Sequence, residues 1–76
     1  MGRTVIIHVI VEDFTGRKVT HEPNDGIAGI KMAEEMSLRH DTDYVLIFMN
    51  GTPVGKYIDG ESVKLWLRKR LSITLR

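Results

Sequence analysis

Residues 4–12, Thr-Val-Ile-Ile-His-Val-Ile-Val-Glu, are almost entirely β-branched, and this run constrains the fold more than any other stretch. Such side chains lose rotamer freedom in a helix and pack well on a pleated surface, so the run predicts a strand. Alternation puts Val5, Ile7, Val9 and Val11 on one face and Ile6, His8 and Ile10 on the other. The apolar part, Val5 to Val11, is interrupted by His8 and is far too short to span a bilayer. Glu12-Asp13 follows it where a signal peptide would carry small residues for cleavage. The sequence therefore suggests an intracellular, cytoplasmic protein with no membrane partner.

The rest of the chain must supply a sheet around that strand. Asp13-Phe14-Thr15-Gly16-Arg17 offers a glycine where a hairpin needs positive φ, Lys18-Val19-Thr20-His21 returns as a second strand, and Pro23 stops it. Asn24-Asp25 is a helix-start signal, because either side chain accepts a bond from an orphan N–H. The spacing predicts a helix over 26–39, with Ile27, Ile30, Ala33 and Leu38 along its apolar stripe. Gly26 and Gly29 cost it roughly 1 kcal/mol each relative to alanine, so packing must stabilise it. Tyr44-Val45-Leu46-Ile47-Phe48-Met49 reads as a buried strand, and Asn50-Gly51 is a strong two-residue hairpin signal. Thr52-Pro53-Val54 is expected to pair back only briefly, since proline belongs at a sheet edge. After a turn at Asp59-Gly60, residues 61–67 suggest a short helix, and Leu71-Ser72-Ile73-Thr74-Leu75 a closing strand.

A chain of 76 residues has room for one core only, so residues 1–76 are read as a single α+β domain. Stability on the order of 3–5 kcal/mol is expected for a core of this size. There is no cysteine, so neither a disulfide nor a thiolate metal site can reinforce it. That absence also counts against a thioredoxin-like redox domain, which the strand, turn and amphipathic run from Val45 to Leu71 would otherwise suggest.

Several pieces resemble the ubiquitin family. Phe14-Thr15-Gly16-Arg17 resembles its hydrophobic-Thr-Gly-Lys turn, and Glu22-Pro23-Asn24-Asp25-Gly26-Ile27 resembles its Glu-Pro-Ser-Asp-Thr-Ile entry to the helix. Leu46-Ile47-Phe48 with the following Met49-Asn50-Gly51 resembles its Leu-Ile-Phe-Ala-Gly strand and turn. The resemblance implies a ubiquitin-like β-grasp: a mixed four- to five-stranded sheet with one main helix packed on one face. On that frame the open sheet face carries His8, Ile10, Ile47, Ser72 and Thr74, with Phe14 beside Ile47. Phe14, Ile47 and Thr74 then fall where ubiquitin carries its recognition patch. The function implied is a non-catalytic, monomeric interaction domain or adaptor, read by a protein partner.

Two other functions compete. A conjugable or sulfur-carrying modifier needs a C-terminal diglycine, and this sequence ends Leu75-Arg76, so that reading requires a tail that is missing or trimmed. The second is a small basic-patch domain binding nucleic acid or an acidic surface through Trp66, Arg68, Lys69 and Arg70. Net charge is +1, so no single-sign field supports it. No residue pattern suggests a catalytic site, a cofactor or a metal. His8, His21 and His40 lack ligand spacing, and Gly26-Ile27-Ala28-Gly29 lacks the rest of any phosphate-binding fingerprint. Close approach of helix to sheet is the preferred reason for its small residues.

Overall fold

The computed structural model describes residues 5–64. They form β1 (Ile7–Asp13), β2 (Lys18–His21), α1 (Gly26–Ser37), β3 (Thr42–Met49), β4 (Thr52–Ile58) and β5 (Glu61–Val63). The strands make one five-stranded sheet in the order β2-β1-β3-β4-β5. All neighbouring pairs are antiparallel, where the sequence suggested a mixed sheet. β1 has a neighbour on each side, so β2 and β5 are the free edges of the described sheet. The closing strand expected at 71–75 lies outside the described residues. No helix among the described residues is long and apolar enough to cross a membrane.

Turn chemistry sets this order. In the first hairpin the Asp13 carboxylate accepts from the Thr15 amide, the Thr15 hydroxyl and the Arg17 amide at 2.9, 2.6 and 3.0 Å, and Gly16 takes φ +92°. Asn50-Gly51 and Asp59-Gly60 are two-residue turns with positive φ at both positions, the primed geometry that matches strand twist. Asn50 also reaches back to the chain before β1. Its side chain accepts from the Ile6 amide at 3.0 Å, and its amide donates to the Ile6 carbonyl at 2.8 Å.

β4 is longer than the expected Thr52-Pro53-Val54. Ile47 pairs with Gly55 and Phe48 with Pro53, which leaves Val54 as the extra residue of a bulge beside the proline. Glu61–Val63 is a strand rather than the start of a helix, because the Asp59-Gly60 turn folds Glu61 directly against Ile58. Asp25 is the N-cap of α1, its carboxylate accepting from the Ala28 amide at 2.8 Å.

The core lies between α1 and one sheet face, with Ile7, Val9, Ala33, Val45, Ile47 and Tyr57 buried and Val11, Met32 and Met36 packed against them. Of the apolar stripe expected for the helix, only Ala33 faces the sheet. Gly29, Ala33 and Ser37 face the sheet, while Ile27, Ile30 and Leu38 are exposed. The reason is distance: a Cβ on Gly29 would lie 3.3 Å from Ile7 Cγ2 and 3.4 Å from Pro23 Cγ. Small residues let the helix backbone approach the strands, as expected for this segment. Ser37 fastens the far end, its hydroxyl donating to the Glu34 carbonyl at 3.0 Å and accepting from the Gly60 amide at 2.8 Å.

Candidate functional site

The helix-free face follows from the register. His8 pairs with Phe48, Ile10 with Leu46 and Glu12 with Tyr44 across β1 and β3. Leu46 pairs with Lys56, and Phe48 with Pro53, across β3 and β4. Alternation from the buried Val9, Val45 and Tyr57 directs these residues away from α1. Ile10, Leu46, Phe48 and Pro53 form an apolar centre, each half-buried by its neighbours. Around them stand His8, Glu12, Lys18, Tyr44 and Lys56.

The rim is held by polar contacts. The Tyr44 hydroxyl donates to Glu12 Oε1, and this bond, with some burial, raises the phenol above its ordinary pKa. Lys56 Nζ lies 4.9 Å from the centre of the Tyr44 ring, a cation–π contact. Lys18 Nζ is 3.9 Å from Glu12 Oε1, and His8 Nε2 is 4.0 Å from Glu22 Oε1. Both ion pairs are exposed on at least one side and stabilise little. The arrangement holds no nucleophile beside a base, and no group of three potential metal ligands occurs among the described residues.

Ile47 is the main correction to the expected site. It is 6% exposed and belongs to the helix-covered core, opposite Val9. Its face is reversed because register with β1, not the apolar run itself, decides which way β3 points. Phe14 is exposed at the first turn, as expected, but not beside Ile47: Asp13 pairs with Thr42, at the other end of β3. His8 and Ile10 do share the helix-free face, with Leu46 and Phe48 as neighbours in place of Ile47. Ser72 and Thr74, and the basic group Trp66, Arg68, Lys69 and Arg70, lie outside the described residues. His21 is half-buried and His40 exposed. Leu46, Phe48 and Tyr44 were missed as site residues; the sign was an uninterrupted apolar run, which has no outward polar face.

Compared with known families, with characterised proteins and with solved structures, the chain matches none.

The turn that carries Phe14 gives a pH-dependent prediction. Its Asp13 carboxyl is held below the ordinary carboxylate pKa by the Thr15 hydroxyl first, then by the Arg17 and Thr15 amides and the Arg17 charge. A depressed pKa means the turn contributes stability above the unfolded carboxylate's pKa, about 3.9, and loses it as pH falls through the folded value. The melting temperature of Asp13→Asn should therefore lie below wild type at pH 6, with the gap narrowing by pH 3. A gap unchanged between the two pH values would show that the carboxylate charge plays no part.

Proposed function

We propose that this α+β domain is a non-catalytic protein-interaction module, which receives its partner on the helix-free sheet face. The observation that carries the reading is the mismatch between apolar faces and layers. A solvated sheet face normally alternates polar against apolar, whereas β3 is apolar on both faces from Tyr44 to Met49, Ile10 of β1 extends its outer side, and α1 covers only the other. Ile10, Leu46 and Phe48 with a polar rim match the anatomy of an interface, an apolar centre inside a charged border. Phe48 and Tyr44 supply aromatic surface of the kind that dominates binding energy.

Leu46→Lys tests this in affinity capture with the whole chain as bait. The position is half-buried and outward, so the lysine stem can lie along the sheet with its charge in water. A partner recovered by wild type, and by the helix-face control Glu35→Gln, should be lost with Leu46→Lys. Loss of more than tenfold in affinity, with a melting temperature within a few degrees of wild type, is the expected result. Recovery of the same proteins by all three baits would remove the sheet face as the interface.

A further inference from the structure

A second site lies on the other side of the molecule, between the β1–β2 hairpin and the C-terminal end of α1. A cavity of about 230 Å³ opens there, lined by Val11, Val19 and Met36 on its apolar part and by Arg17, Arg39 and Thr42 among its polar groups. That volume is below the roughly 300–1,000 Å³ of drug-sized sites, so it suits a smaller ligand.

Thr42 carries the argument. It is 8% exposed, and its amide donates to the Arg39 carbonyl at 3.0 Å. Its hydroxyl has no hydrogen-bond partner among the described residues. Facing a cavity that admits water, the hydroxyl is left to bond with water or with a ligand that displaces it.

The surrounding charges say what that something is. Asp13, which also lines the cavity, spends its Oδ1 on three donors within its own turn. Asp41 is matched by Arg39, with Nε 3.8 Å from Oδ1. Arg17 makes no salt bridge among the described residues, and the half-buried His21 lines the same wall. The donors without a hydrogen-bonded or salt-bridged partner are the Arg17 guanidinium, whose charge also acts on Asp13, and the Thr42 hydroxyl, a pair that suits a carboxylate. Val11, Val19 and Met36 add an apolar surface beside those donors. We propose that this cavity binds a small monocarboxylic acid with an aliphatic body, its carboxylate meeting Arg17 and Thr42 and its body lying on Val11, Val19 and Met36.

The test is amide-resolved NMR of the whole chain titrated with 4-methylpentanoate, its neutral amide 4-methylpentanamide, and acetate. Saturable shifts at Val19, Met36 and Thr42 are expected with the branched acid. Affinity should fall about tenfold with the amide, which lacks the charge, and clearly with acetate, which lacks the body. Arg17→Gln and Thr42→Val should each weaken the acid by about tenfold. No saturation at millimolar acid, equal shifts from acid and amide, or unchanged affinity in a folded Thr42→Val protein would each overturn the proposal. The outcome is independent of the sheet-face interface, since Leu46→Lys should leave the acid titration unchanged.

Discussion

Ile47→Ala is expected to bring this domain to the edge of unfolding at room temperature. Ile47 is buried between α1 and the sheet, opposite Val9 and beside Gly55 and Tyr57. Truncating a buried isoleucine costs about 2–5 kcal/mol, the lost transfer energy plus the cavity left behind. A single core in a chain this size rarely holds more than about 3–5 kcal/mol, so one side chain consumes most of the margin. Relaxation around the site has little scope. Val9 and Val45 are fully buried and β-branched, with few rotamers, and Val54 in the adjacent bulge is already turned to solvent. In urea the midpoint should move close to zero with the slope of the transition preserved. Leu46→Ala, half-buried on the opposite face, should lose distinctly less. The reverse ranking would mean that the helix covers the other face of β3.

That experiment tests the point at which the sequence misdirects. From Tyr44 to Met49 every residue is apolar or aromatic, so no alternation says which side chains turn inward. The face is fixed only by pairing: Val9 opposite Ile47 places them together, and Asn50, bonded to Ile6, locks that register. β1 was legible because the buried Ile7 and Val9 alternate with His8 and Ile10, and the turns from β3 to β4 and from β4 to β5 announce themselves as Asn-Gly and Asp-Gly. The helix start was legible from Asp25. β5 was not, since Glu61-Ser62-Val63 is too short for either periodicity and only the turn before it chooses. The helix-free face emerged in part, through His8 and Ile10. The cavity left no sequence sign, because Arg17, Arg39 and Thr42 come from separate elements and match no spacing rule.

Helix orientation provides the second large effect, in a pair of variants whose ranking inverts what the apolar pattern suggests. If Ile27, Ile30 and Leu38 faced the sheet, Ile27→Ala would be costly and a larger residue at Gly29 would be harmless. In the structure Ile27 is 74% exposed, and removing its side chain should change stability by no more than about 0.5 kcal/mol. Gly29→Leu should destabilise the fold by up to about 2 kcal/mol. Even a Cβ there meets the Ile7 methyl at 3.3 Å, the Pro23 ring at 3.4 Å and Val9 Cγ2 at 3.7 Å. None of these is the free end of a flexible chain: Ile7 and Val9 are branched at Cβ and held in the core, and the proline is a ring. The leucine must therefore push α1 off the sheet or turn it, opening the contacts that Ala33 and Ser37 make one and two turns on. Overpacking of this kind costs about 1–3 kcal/mol, against roughly 1 kcal/mol gained by replacing glycine in a helix. Displacing the helix also strains the bond from Gly60 to the Ser37 hydroxyl, which keeps the net effect toward the upper end. Thermal melts of the two variants should place Gly29→Leu well below wild type and Ile27→Ala beside it. Equal melting temperatures for the pair would contradict the close approach of α1 through Gly29.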